Sequence, residues 1–382
     1  MDFDRCIDRR NSDSAKWRLY GEDVLPLWVA DMDFASPEPV LRALQERVAH
    51  GVFGYGAEPP ALRSVIVGRL ARLYGWEVPE DAILFVPGVV TGLNVACRAF
   101  ARPGQSVLVQ TPVYPPILHA PANAQLSLCE TELSLGEEGR YEIDFDDFAR
   151  GITEQTQMFV LCNPHNPVGR VFSRRELARM ADICLAHGLL IVADEIHSDL
   201  VFHGAEHTPI ACLSDQVADR TVTLMAPSKT YNLPGLSCSY AIITNEKLRA
   251  AFQAARVGIV PGVNVLGYAA ALAAYQDGGD WLNEALAYLE GNRDFLDDCV
   301  RAALPGITMR RPEGTYLAWL DCRGAELPCG PFDFFLQRAK VALSDGALFG
   351  QGGTGFVRLN FACPRSMLAE ALKRMGSALG AR

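Results

Sequence analysis

The chain has 382 residues, enough for two domains at roughly 100–200 residues each. Apolar residues make up 49% and charged residues 21%, near the globular average, which excludes a disordered or collagen-like chain. A formal net charge of −10 denies the chain the basic field that a general nucleic-acid or anionic-membrane binder needs.

In chain order, residues 1–45 read as an N-terminal arm that contributes to a smaller domain. They are irregular, with one short extended piece near Leu25-Pro26-Leu27, until Pro37-Glu38-Pro39 opens a helix with Val40, Leu41, Leu44 and Val48 at helical spacing. Residues 46–270 read as the large domain. A loop, Gly51-Val52-Phe53-Gly54-Tyr55-Gly56, precedes a helix from Pro59-Pro60 to Leu73. Short apolar runs then follow at Ile83–Val86, Ser106–Gln110, Met158–Cys162, Leu189–Ala193 and Val222–Met225. Helical stretches such as Thr91–Phe100 and Arg174–His187 separate several of them, the signature of an α/β domain with a largely parallel sheet. Tyr240–Thr244 is a candidate antiparallel strand. After residue 270 the texture changes. Long polar helices (Asp280–Leu304, Pro331–Lys340, Ser366–Leu379) frame strands at Tyr316–Leu320 and Gly355–Asn360, which predicts a smaller α+β domain over 271–382.

Eleven cysteines are scattered without a CxxC pair, which argues against a zinc ribbon or a thioredoxin-type site, and no metal centre is expected. With no N-terminal signal pattern, a cytoplasmic, reducing compartment is the simplest expectation. The uncharged stretch Val257–Gln276 is long enough for a membrane span. Gly258, Pro261, Gly262, Asn264 and Gly267 interrupt it, so it reads as a loop followed by a buried helix over Val263–Tyr275.

In an open parallel sheet, ligands bind at the carboxyl ends of the strands. There the apolar runs end in Asn163-Pro164-His165-Asn166-Pro167, in Asp194-Glu195-Ile196-His197 and in Ser228-Lys229-Thr230-Tyr231-Asn232. A lysine and a carboxylate at the ends of buried strands are costly unless paired or used. Pro87-Gly88-Val89-Val90-Thr91-Gly92 lies between a strand and a helix, where backbone N–H groups and the helix dipole can hold an anion.

These motifs lie in one order, between Trp28-Val29-Ala30-Asp31-Met32-Asp33-Phe34 and Val357-Arg358-Leu359-Asn360. The chain resembles, nearly end to end, the class I/II aminotransferase family of pyridoxal-5′-phosphate (PLP) enzymes of fold type I. Within it, the chain is most similar to the cystathionine β-lyase and cysteine-S-conjugate β-lyase branch (the MalY/PatB type). The resemblance implies a mostly parallel mixed sheet between helices and PLP as cofactor. Lys229 would bond the cofactor and then act as base on the substrate Cα, tethered within reach. Asp194 would pair with the ring nitrogen and Asn166 with the ring oxygen, while His197 would support that oxygen or Asp194. Backbone groups of Val89 and Val90, the Ser228 hydroxyl and Tyr55 of a neighbouring subunit would hold the phosphate, making the protein a homodimer with shared sites. Tyr114 would stack on the ring and Arg358 would bind the substrate carboxylate. Ala30, in the Trp28–Asp31 segment, and Tyr55 would line the substrate entrance.

Two positions depart from many aminotransferases. Ala226 replaces a hydroxyl residue three before the lysine, and Ser237 replaces an arginine eight after it. The phosphate thus loses a strong positive partner. The expected reaction is Cα deprotonation and β-elimination of a thiol from L-cystathionine or a related cysteine S-conjugate, leaving pyruvate and ammonia. The alternative is an aminotransferase for a neutral or aromatic amino acid, and a difference of about 1.4 kcal/mol between the competing barriers shifts the partition tenfold. A non-catalytic PLP-binding regulatory domain is a third, remote reading, since only about 35 residues precede the fold.

Overall fold

A computed structural model of the chain describes residues 1–136 and 139–380. Its centre is a seven-stranded sheet in the spatial order Ile83–Val86, Ser239–Ile242, Thr221–Met225, Leu190–Asp194, Thr156–Cys162, Ser106–Thr111, Ser127–Glu132. Only Ser239–Ile242 breaks the parallel order, running antiparallel to both neighbours. The three strands Ser106–Thr111, Leu190–Asp194 and Thr221–Met225 are buried at every residue, as a parallel sheet covered by helices on both faces requires. This is the mixed, mainly parallel sheet of fold type I.

The register matters for chemistry. Asp194 lies opposite Cys162 on one side and Leu224 on the other, so the turns that follow these strands leave the sheet along one edge. The edge strand Ser127–Glu132 is absent from the sequence reading for a physical reason. Much of it is exposed or half-buried, with Ser127, Glu130 and Glu132 breaking any apolar run.

Local chemistry places the helices. Ser173 and Glu176 form a reciprocal capping box at the start of Arg174–Ala186. Asn264 accepts from the Gly267 N–H at 2.8 Å and starts helix Val265–Asp277, so the apolar 257–276 stretch divides into a loop and a buried helix. Among the described residues no helix is long and apolar enough to cross a membrane. The helix expected from Pro37 forms over Glu38–Ala49, with Val40 fully buried and Leu41 and Val48 exposed. One expectation needs correction. The stretch 331–340 is not one regular helix. A short α-helix, Pro331–Phe334, passes into a π-helical turn over Phe335–Ala339, and the widened turn lets adjacent Phe334 and Phe335 both reach the core.

A second, antiparallel sheet holds Thr308–Met309, Leu317–Asp321, Phe356–Asn360 and Ser344–Asp345 in that order. In it Arg358 faces Ser344 across one strand pair and Trp319 across the other. The beginning of the chain joins this part of the molecule, because Leu25–Pro26 pairs parallel with Val341–Ala342.

Residues 28–34 then run across the molecule as an irregular strap held by side chains. Asn360 Nδ2 donates to the Val29 and Asp31 carbonyls at 2.6 Å each. Asn232 bonds both the N–H and the carbonyl of Met32 at 3.0 Å. Beneath the strap, buried Lys16 reaches Asp33 at 2.6 Å, and Arg9 bridges Asp31 and Asp33. Burying such charges is tolerable only because each has a partner. Lys16→Met would leave Asp33 with Arg9 and Trp17 alone. We expect a loss of about 3 kcal/mol, read as a lower denaturant midpoint at unchanged slope.

Candidate active site

A cavity of about 250 Å3 opens at the carboxyl edge of the large sheet, a volume suited to one small, flat molecule. The strap contributes Ala30, the 87–91 turn contributes Val89 and Val90, and the three strand-end motifs contribute Asn166, Asp194, His197, Ser228 and Lys229. Tyr114, at the start of helix Pro115–Asn123, forms another wall. Ten of the eleven sequence candidates are thus brought together, counting Arg358, which adjoins the cavity through Asn166. Tyr55 is not among them. Its side chain is fully exposed, and within one chain it does not reach the cavity.

At one end of the cavity helix Val89–Phe100 begins without a side-chain cap. Gly88 precedes it at φ 129°, a conformation that a side chain would strain. The first amides of the helix therefore remain available to an anion, and the Ser228 hydroxyl stands in the same cavity. At the sheet edge is Asp194, which accepts from the Ile196 N–H at 3.2 Å. Burial pushes its carboxyl up to about 6, against only partial help from that bond and from Lys229. His197 is buried, its Nδ1 has no hydrogen-bond partner, and burial with the charges of Lys229 and Arg358 drives it down to about 3. Its surroundings thus favour the neutral imidazole.

Lys229 keeps some accessibility through the cavity, but its amine is enclosed. Nζ donates to the Ala30 carbonyl at 2.6 Å, and the same oxygen accepts from the Tyr316 hydroxyl at 3.0 Å. Burial, reinforced by the Arg358 charge, lowers the amine to about 8, with Asp31 and Asp194 opposing. Arg358 is itself buried. Nη1 donates to Asn166 Oδ1 at 3.0 Å, and Nη2 donates to the Trp28 carbonyl at 2.9 Å and to Ser344 Oγ at 3.1 Å. Its Nε has no partner, and burial lowers the group to about 10. Phe349 lies under the guanidinium at 5.0 Å.

Tyr316 and Ser344 escaped the sequence reading. Neither belongs to a strand-end motif, and their link to Lys229 and Arg358 exists only across elements far apart in the chain. A larger open cleft of about 990 Å3 lies elsewhere, walled by Arg140, Arg293, Arg301 and Arg311. Those four arginines pair with Glu313, Glu290, Asp294, Asp297 and Asp298.

Comparison with known proteins places the chain in a family. Residues 22–375 match the family model for aminotransferase class I and II. The chain is 41% identical to the cystathionine beta-lyase PatB of Bacillus subtilis, over 99% of this chain and all of that one. Its fold superposes on the crystal structure of OvoB with a TM-score of 0.96 at 44% identity, over the full length of both. It also superposes on cystalysin from Treponema denticola, which contains PLP, at TM-score 0.95 and 34% identity, over all of this chain and 99% of that one.

PLP is the cofactor, and the donor set fits it. An uncapped helix start suits its phosphate, an otherwise poorly compensated Asp194 suits a protonated ring nitrogen, and an amine of lowered basicity suits its aldehyde. Only the neutral amine attacks a carbonyl. The rate at which the apoprotein takes up PLP should therefore rise with pH through a midpoint of about 8, which absorbance-monitored mixing would show. A midpoint near the ordinary lysine value of about 10.4 would mean that the enclosure of Lys229 does not lower its basicity.

Proposed function

Because the chain belongs to the class I and II aminotransferase family of PLP-dependent enzymes, we propose that it is a carbon–sulfur β-lyase. Its substrate is L-cystathionine or a related cysteine S-conjugate, and its products are a thiol, pyruvate and ammonia. The observation that carries this reading is the end-to-end likeness, at 41% identity, to a relative named for cystathionine β-lyase activity. The charge of the cavity supports it. Among the described residues Lys229 is the only lysine or arginine on the cavity wall, with Arg358 adjoining, and Ser237 stands where many aminotransferases carry an arginine. A dicarboxylic amino acid would find one guanidinium for two carboxylates.

Bound PLP supplies an electron sink that makes the substrate's Cα proton removable. Arg358 captures the α-carboxylate in a charge-assisted pair and so fixes which substrate bond faces the cofactor. Lys229, its basicity lowered by burial, would take the Cα proton, and the sulfur would leave Cβ as thiolate; the unsaturated amine left behind would take up water to give pyruvate and ammonia. Asp194 keeps the ring nitrogen protonated. Asn166 and the neutral His197 provide donors toward the ring oxygen, and Tyr114 covers the ring face. The amides of Val89 and Val90 with Ser228 hold the phosphate. Tyr55, beside exposed Val52 and Phe53, completes that grip from a second copy in a homodimer.

Two measurements test this. The purified, PLP-loaded protein should release pyruvate and thiol in equal amounts from L-cystathionine with no 2-oxo acid present. Turnover that appears only when a 2-oxo acid is added would replace the lyase with an aminotransferase for neutral or aromatic amino acids. Arg358→Ala should lower kcat/KM about 100-fold while the protein retains its cofactor, since a buried charge-assisted pair is lost from substrate binding alone.

A further inference from the structure

Two turns of the site, the one that follows Asp194 and the one that carries Lys229, are joined by a carboxylate that touches neither cavity nor substrate. The first turn is closed by its own backbone, with the Ser198 N–H on the Glu195 carbonyl at 3.0 Å and the Leu200 N–H on the His197 carbonyl at 2.8 Å. It presents Asp199. The second turn is closed in the same way, by the Tyr231 N–H on the Pro227 carbonyl and the Leu233 N–H on the Ser228 carbonyl, both at 2.9 Å. It presents Thr230, whose side chain is wholly buried. Thr230 Oγ1 donates to Asp199 Oδ2 at 2.9 Å. The other carboxylate oxygen takes the guanidinium of Arg69, from helix Pro60–Tyr74, and Arg69 is braced by the Tyr275 ring at 5.0 Å.

We propose that Asp199 is a positioning residue of the active site, fixing through Thr230 the backbone from which Lys229 reaches the cavity. The far side of the same turn is already pinned by Asn232, which holds the strap at Met32 and Phe34. With Thr230 released, the lysine-bearing turn is held on one side only. Arg69 orients the Asp199 carboxylate, so the threonine meets a fixed acceptor rather than a mobile one. The inference rests on Lys229 being the residue that bonds PLP.

Thr230→Val tests it, because it removes the hydroxyl, keeps the shape and changes no charge. The groups whose charge acts on Lys229 are Arg358, Asp31 and Asp194, none of which the substitution alters. A change in the pH midpoint of the visible absorbance band of the bound cofactor would therefore report a displaced Lys229 nitrogen. We expect that midpoint to shift and kcat to fall about tenfold, with KM changed less than about twofold, and Thr230→Ser to restore both. Asp199→Asn, which keeps an acceptor for Thr230 but loosens it by breaking the charge pair with Arg69, should lower the melting temperature and shift the midpoint less than Thr230→Val does. A Thr230→Val protein that melts earlier but keeps the wild-type midpoint and kcat overturns the proposal. So does a midpoint shift in Asp199→Asn alone. If Thr230→Val does not fold, Thr230→Ala decides by the same two readouts. Peptide mapping of the borohydride-reduced wild-type holoenzyme separates the underlying reading. A label on any lysine other than Lys229 removes the premise, whereas a label on Lys229 leaves the positioning role to stand or fall by the variants.

Discussion

The amine of Lys229 and the carboxyl of Asp194 are both held against the ionisation that water would give them. Burial opposes charge on each, and Arg358 adds to the pressure on the lysine. Neither group can relax, since the strands and turns that carry them belong to the fully buried centre of the sheet. Such an arrangement is unfavourable in the isolated chain. It becomes favourable when a ligand brings both a carbonyl for the amine and a cation for the carboxylate, so binding free energy of the cofactor is also folding free energy of this edge of the molecule. The neutral His197, the uncapped helix at Gly88 and the unpartnered Arg358 Nε belong to the same pattern of polar groups left for something other than the protein.

How much of this was legible beforehand follows the range of the interactions involved. Strands Ile83–Val86 and Thr221–Met225 appeared as short apolar runs because both of their faces are buried, and the motif after each strand end marked the site edge. Ser127–Glu132 did not appear, because most of its positions are exposed or half-buried and its polar residues interrupt any apolar run. The π-helical turn at Phe335–Ala339 was hidden because its cause is the packing of two adjacent aromatics against a core formed by other elements.

Within the site, residues next to a strand end could be found from the sequence, and residues that act on them from elsewhere could not. Asp194, Asn166 and Lys229 carry their own signal. Ser344, Tyr316 and Asp199 look like ordinary polar residues until the fold sets them beside Arg358, the Ala30 carbonyl and Thr230. Tyr55 is a third case. The resemblance assigns it to the phosphate in a neighbouring subunit's site, and within one chain it is fully exposed.

The strap over residues 28–34 links Arg358 and Lys229, the two basic side chains at the cavity. Arg358 holds the carbonyl of Trp28, and Lys229 holds the carbonyl of Ala30, two residues further along the same short run of backbone. The two side chains are therefore anchored to one short stretch of backbone, which Asn360 pins between them at the Val29 carbonyl, so that loss of either contact removes a support shared with the other.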